Sequence, residues 1–338
     1  MEKRVQNYAK KTFLAIDNPY RSVKKVYPNS IDHITETTGY YMGVKEVKSI
    51  SAKFIAELEE QGYVYHTVDK ASLSGRAIDL DLINPLTGNY MTGSSSGTAL
   101  NVFLGINDLG IGTDGGGSVL APAMSLNLCG FIHPDLGNEN VENKEVKVST
   151  DGISFSPSVG LISKDLEHIE AIMMKRIDKK ATASVSIGMD QAALSGIELL
   201  EISGYENCLL EMTDKYSKDR NELIADLNKQ LDMFDIVVSK EGPVDVTGFG
   251  DTIFGHFSEE TRHYQQLANK GYLRVANMVN AVTLSVPTTQ LGEGYVLMTK
   301  NEAMIPSLFS IGKALSAEKD ELIERYFGEL SKYFDMGL

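Results

Sequence analysis

Two glycine-led turns carry the side chains best suited to chemistry. Ser94, Ser95 and Ser96 follow Gly93, and Ser118 follows Gly115, Gly116 and Gly117. Successive glycine N–H groups can converge on one point, a concavity that suits an anion or the oxyanion of a tetrahedral intermediate. A serine at the end of such a turn sits beside its own oxyanion hole and lacks only a base. The neighbouring serines can relay its proton to a lysine kept neutral by burial. Histidine is not required, and the six histidines, at 33, 66, 133, 168, 256 and 263, form no motif.

Two other readings compete for this stretch. Gly110 to Gly115 spells G-x-G-x-x-G, a dinucleotide fingerprint when a strand precedes it and a helix opens on it. Here two more glycines, Ser118 and Pro122 follow, so no helix starts cleanly, and Asp135 lies about twenty residues on without a visible βαβ unit. The plainer reading is a pair of tight turns in which glycine serves positive φ.

Composition narrows the field. The chain has 338 residues, 42% hydrophobic and 23% charged, in the range of a soluble globular protein. A net charge of −14 argues against nucleic acid or an anionic membrane as partner. Cys129 and Cys208 make no disulfide framework, and no zinc spacing accompanies them. No apolar run has the length of a membrane span, and the start resembles no leader, so a cytoplasmic location is expected. Neither a metal nor an organic cofactor is implied.

The elements that must hold the turns alternate between helical and β periods. Ile50, Phe54 and Leu58 share a helical face, with Ser49 or Ser51 as cap and Gly62 as stop, before a strand at Tyr63–His66. Leu166, Ile169 and Met173 mark a second helix, and Leu223, Leu227 and Leu231 a third, followed by a strand at 234–238. Leu322, Ile323, Tyr326, Phe327, Leu330, Tyr333 and Phe334 make an amphipathic C-terminal stripe. This alternation predicts an α/β protein with a covered sheet. The longest polar stretch, 133–152, reads as a loop within one domain.

Gly93-Ser94-Ser95-Ser96-Gly97-Thr98-Ala99 and Gly112-Thr113-Asp114-Gly115-Gly116-Gly117-Ser118-Val119-Leu120-Ala121-Pro122-Ala123 together resemble the amidase signature: G-G-S-S-G-G-S/E-A, then G-T-D-x-G-G-S-I-R-x-P-A. Ser94 and Ser118 are 24 residues apart, the interval that family keeps between its two catalytic serines. Weaker matches run from about residue 35 to residue 317. The resemblance implies one amidase-like domain over 1–338, without the family's usual N-terminal helices. It implies the amidase-signature fold, a mixed, mainly parallel twisted sheet covered by helices on both faces. The chemistry implied is acyl transfer from an amide through a Ser-cisSer-Lys triad. Ser118 would be the nucleophile, and Ser94 the bridging serine, whose peptide is cis in the family. Gly115, Gly116 and Gly117 would form the oxyanion hole. Ser95 would lend a supporting hydrogen bond, and Thr113 and Asp114 would shape the turn.

The third member of the triad is the open point. The family's lysine stands some 70 residues before the bridging serine, shortly before a T-T-x-G element like Thr37-Thr38-Gly39. Spacing selects Lys25 or Lys24; local wording makes Leu14–Asn18 the lysine strand, puts Ile16 at the lysine position and removes the base. Lys70 matches a noncatalytic lysine. Leu120 replaces a usual arginine, Ser96 replaces a glycine, and Cys129 is read as a packing residue. With a base, the chain is an amide hydrolase or amidotransferase acting on a small-molecule amide or a biosynthetic intermediate. Without one, it is a binding or scaffold subunit. The resemblance allows a homodimer or a partner protein. The group within reach of Ser94 discriminates the two.

Overall fold

The computed structural model describes residues 2–27, 39–137, 145–177, 184–197, 205–212 and 214–334. Thr37 and Thr38 lie outside the described residues, as do 138–144 of the polar stretch. In chain order the strands are β1 (Val23–Val26), β2 (Tyr40–Lys45), β3 (Tyr63–Asp69), β4 (Ile78–Ile83), β5 (Tyr90–Thr92), β6 (Leu109–Asp114), β7 (Cys129–His133) and β8 (Lys147–Val148). They continue as β9 (Ser154–Phe155), β10 (Ser158–Ser163), β11 (Val185–Met189), β12 (Tyr205–Leu209), β13 (Ile236–Glu241), β14 (Val282–Pro287) and β15 (Gly294–Thr299). The main helices are α1 (Glu2–Asp17), α2 (Ala52–Glu59), α3 (Ser96–Phe103), α4 (Leu120–Ser125), α5 (Leu166–Met174), α6 (Gln191–Ile197), α7 (Arg220–Met233), α8 (Glu259–Gln266) and α9 (Ile305–Leu315).

Eleven strands form one sheet in the order β1-β3-β2-β6-β10-β7-β14-β15-β13-β11-β12. The sheet is mixed, as expected, but not mainly parallel. β2 runs parallel to β3 and β6, and β11 to β12 and β13, while the six central and edge pairs are antiparallel. The reason is connection length. Thr288 to Glu293 return β14 into β15 by a short turn, which only antiparallel strands permit. Parallel neighbours β2 and β3 are joined through α2, which is long enough for a crossover.

Side-chain alternation divides the core. Phe131, Leu161, Val238 and Leu297 face the layer of α2, α5 and α9, with Phe54, Ile169 and Phe309 buried there. Their neighbours Ile132, Ile162, Val237 and Val296 face the layer of α1, α3, α4 and α7, with Leu14, Leu100, Ala123 and Leu227 buried there. Helices thus cover both faces, and one strand supplies both cores because its period is two.

Several local readings hold. Ser51 caps α2, its hydroxyl accepting the Phe54 N–H, and Gly62 turns the chain at φ 91°. Two do not. Leu14 to Asp17 end a 16-residue helix rather than a strand, and Ile16 is 65% exposed on it. The C-terminal stripe packs Ile323, Phe327 and Leu330 on the core, but it is broken into short turns at Glu321–Ile323, Glu324–Gly328 and Leu330–Tyr333. Leu322 and Tyr326 stay exposed as a result.

Beside β2 lies a buried polar network. Asp69 accepts from Thr67 Oγ1 (2.7 Å) and Asn101 Nδ2 (2.6 Å), and Asn107 Nδ2 donates to Thr67 Oγ1 (2.8 Å). Burial lifts Asp69 to about 7 and drops His66, hydrogen-bonded to Asn107, to about 4. A Cβ on Gly43 would stand 2.2 Å from Asn107 Nδ2 and 2.3 Å from Asp69 Oδ2. Gly43→Ala is therefore expected to destabilise the protein by about 2–4 kcal/mol, because a crowded buried network cannot yield without losing hydrogen bonds. Urea unfolding measures it; a midpoint equal to wild type would show that the network adapts.

Candidate active site

Three strand ends and two helix starts meet at one edge of the β2–β6 pair. β2 pairs in parallel with β6 through Met42–Leu109, Gly43–Gly110 and Val44–Ile111. That register brings Lys45, the last residue of β2, alongside Thr113 and Asp114, the last of β6. Gly93 leads into α3 at φ 73°, a conformation open to glycine. Its Cα also lies against Pro122 and the Ser118 carbonyl, so there is no room for a side chain. The Ser95 N–H donates to the Ser118 carbonyl (3.1 Å), which ties the two serine turns together.

The amine beside Ser94 is Lys45. Its Nζ lies 2.7 Å from Ser94 Oγ, 3.0 Å from Thr113 Oγ1 and 3.3 Å from the Thr113 carbonyl oxygen. The lysine is 3% exposed. Burial brings its pKa down to about 7, against the pull of Asp114, and Lys147 adds to the lowering. Neither lysine selected by spacing is there. Lys24 is exposed on β1 and pairs with Glu46 at 3.9 Å, and exposed Lys25 stands over the Tyr27 ring at 4.6 Å. Both lie on the edge strand β1, which β3 and β2 separate from β6. Lys45 precedes Ser94 by 49 residues rather than about 70. One signal for it was legible: an apolar run, Tyr40 to Val44, ending in a lysine.

The remaining candidates fall around this pair. Ser94 is buried and Ser118 half-exposed. Ser95 Oγ donates to the Thr113 carbonyl at 3.4 Å. Thr113 touches the lysine rather than shaping the turn. Asp114 is buried, and one oxygen accepts the Gly117 N–H (2.7 Å), the other those of Val119 (2.6 Å) and Leu120 (3.3 Å). Burial holds the Asp114 carboxyl above its usual range. The Gly117 N–H, expected in the oxyanion hole, is thus engaged by Asp114. Gly115 and Gly116 are half-exposed.

The Gly93–Ser94 peptide also departs from expectation. The one cis bond among the described residues is Gly242–Pro243, so the link into Ser94 is trans, and Gly93 makes the turn through its positive φ instead. Leu120 is fully buried in α4. Cys129 is buried in β7, and burial pushes its thiol up to about 12, which removes it as a nucleophile. The polar stretch read as a loop holds the start of the β8–β9 hairpin, whose Phe155 ring lies against Gly115. No helix among the described residues is long and apolar enough to cross a membrane.

The Amidase family model matches residues 30–163, the stretch that holds Lys45, Ser94 and Ser118. No curated protein sequence matches the chain. Among solved structures it is similar to 6-aminohexanoate cyclic dimer hydrolase at 12% identity and TM-score 0.64, covering 97% of this chain and 94% of that one. It is similar to a glutamyl-tRNA(Gln) amidotransferase subunit from Thermotoga maritima at 14% identity and TM-score 0.60, covering 93% of each chain. It is also similar to Kluyveromyces lactis allophanate hydrolase, at 13% identity and TM-score 0.58, over 91% of this chain and 70% of that one. At such identities the likeness is one of fold. The chain thus matches the Amidase family model over residues 30–163 and shares the fold of amidase structures over nearly its whole length.

Proposed function

We propose that the protein is an acyl-transfer amidase in which Ser118 is the nucleophile, Ser94 the proton relay and Lys45 the base. The observation that carries this reading is the 2.7 Å approach of Lys45 Nζ to Ser94 Oγ, with a pKa of about 7. Near pH 7 much of the amine is neutral. Its two N–H groups can donate to the Thr113 carbonyl and hydroxyl oxygens, which leaves the lone pair to accept the Ser94 O–H. Ser94 Oγ then accepts the Ser118 proton as Ser118 Oγ bonds to the amide carbon. Charge develops on the carbonyl oxygen, where the N–H groups of Gly115, Gly116 and Ser118 are the available donors. Collapse breaks the C–N bond, and the nitrogen leaves with the proton returned from Lys45 through Ser94. Water, deprotonated along the same relay, attacks the Ser118 ester and releases the acid; an acceptor amine in its place gives transfer. An apolar side chain beside Ser94 would have supported the competing reading, a scaffold without a base; the Lys45 amine there supports the enzyme.

Labelling with a fluorophosphonate, followed by peptide mass spectrometry, tests the reading. Ser118 is expected to carry the label, at a rate that rises about tenfold per pH unit below pH 7 and levels above it, because protonated Lys45 cannot accept. A flat rate between about pH 5 and 9, or a label elsewhere, would overturn the assignment.

A further inference from the structure

The hairpin over the glycine turn brings an ion pair to the mouth of the site. Arg220, the first residue of α7, donates from Nε to Asp151 Oδ2 at 2.6 Å and from Nη2 to Asp151 Oδ1 at 2.5 Å, with Thr150 Oγ1 at 3.4 Å. Asp151 and Thr150 belong to the turn between β8 and β9, so this pair holds the hairpin to α7. The third guanidinium nitrogen, Nη1, is not engaged by any described residue. It lies 3.5 Å from where a Cβ on Gly116 would stand. An unoccupied, charged N–H donor therefore faces the turn that would receive a substrate carbonyl. Arg220 is 11% exposed in its side chain, so its charge is poorly screened by water.

A second cation reinforces the first. Arg274 follows Leu273, which packs on Gly117, and its carbonyl is 3.5 Å from the same Gly116 position. Its guanidinium donates to the Lys215 and Lys218 carbonyls, and its Nε is buried without a partner. Burial and the proximity of Arg220 bring it down to about 10. Asp151 is the anion that bridges to Arg220, and it is itself 38% exposed. Asp151, Asp219 and Glu241 also act on Arg274, so the mouth carries both signs, and Nη1 of Arg220 is the donor there that Asp151 leaves free.

We infer that Arg220 is a specificity residue for the proposed reaction, its Nη1 receiving a carboxylate carried by the amide substrate on the side that lies over Gly116. This rests on the reading of Ser118 as nucleophile. The substrate class is then the monoamide of a small dicarboxylic acid. The guanidinium comes from α7, about 100 residues further along the chain, rather than from beside the nucleophile.

The test compares glutaric acid monoamide with its methyl ester, which share a skeleton and differ by one charge. In wild type, kcat/KM for the acid is expected to exceed that for the ester by about ten- to a hundredfold, the range for one charge-assisted hydrogen bond in a sheltered site. Arg220→Gln should bring the ratio near one, and Arg220→Lys should keep part of it. Asp151→Asn loosens the hairpin but keeps the guanidinium, so it should retain the preference. A wild-type ratio near one, or a preference that survives in Arg220→Gln, overturns the inference. Calorimetry on Ser118→Ala separates it from the catalytic reading. Acid that binds at least about tenfold tighter than ester, through Arg220, supports the charge contact even if no amide is cleaved; equal binding refutes it even if Ser118 labels.

Discussion

Lys45→Met is expected to abolish amide hydrolysis and Ser118 labelling, with a loss on the order of 10⁴-fold or more, the scale seen when one member of a catalytic relay is removed. The same substitution should stabilise the fold at low pH. The amine is 3% exposed and its pKa falls from 10.5 to about 7. Holding it charged in that place opposes folding by roughly 4–5 kcal/mol at full effect. Between pH 7 and 10.5 the unfolded chain binds the proton and the folded chain does not, so wild-type stability gains from rising pH across that window. Below pH 7 the opposition is complete. Met has a similar volume and no charge, but it leaves the Ser94 and Thr113 oxygens without their partner, which returns about 1–3 kcal/mol. The net expectation is a variant more stable than wild type at about pH 6 and no more stable at about pH 10, read by urea unfolding at both. A base held at an energetic cost is what a functional lysine looks like. A variant that is inactive and less stable at the lower pH would mean that Lys45 serves structure first.

The second large effect is expected at Asp114. Both its oxygens act as acceptors, one for Gly117 N–H and the other for those of Val119 and Leu120. These bonds hold the chain on either side of Ser118, so the carboxylate positions the nucleophile without touching substrate. Asp114→Asn is not conservative here. An amide offers one oxygen, so one edge of the turn would face N–H against N–H. We expect at least about a hundredfold loss of kcat/KM, since small displacements of a nucleophile are costly, and a stability loss of about 2–4 kcal/mol from buried donors left unpaired. The check is the labelling rate of Ser118 beside the unfolding midpoint. Labelling at the wild-type rate would show that the turn holds its shape by glycine geometry alone. The pH dependence should persist in Asp114→Asn with lower amplitude, because Lys45 is still present. That persistence distinguishes a displaced nucleophile from a missing base.

The two serine turns were legible because they are local. Glycines 115 to 117 before Ser118, and Gly93 before Ser94, are separated from one another by one short helix and one strand, so spacing nearly determines their geometry. The helices α2, α5 and α7 were legible for the same reason: an apolar stripe at period 3.6 is written within each segment, and α2 and α7 carry their caps as well.

What the sequence could not state was which amine folding brings beside Ser94. Lys24, Lys25 and Lys45 differ little as residues, and interval counting favoured the two that stand on the edge strand, away from Ser94. Lys45 is selected by the parallel register of β2 on β6, which carries it beside Thr113 across a sequence gap of 68 residues and into a place that excludes water. The burial that lowers its pKa is a property of the packed sheet. The direction of the central strands likewise depended on which connections were short, the engagement of the Gly117 N–H on where Asp114 pointed, and the Arg220–Asp151 pair on α7 meeting a hairpin 69 residues before it. Local conformation follows from neighbouring residues, whereas the electrostatics of a site depend on everything that folding brings around it.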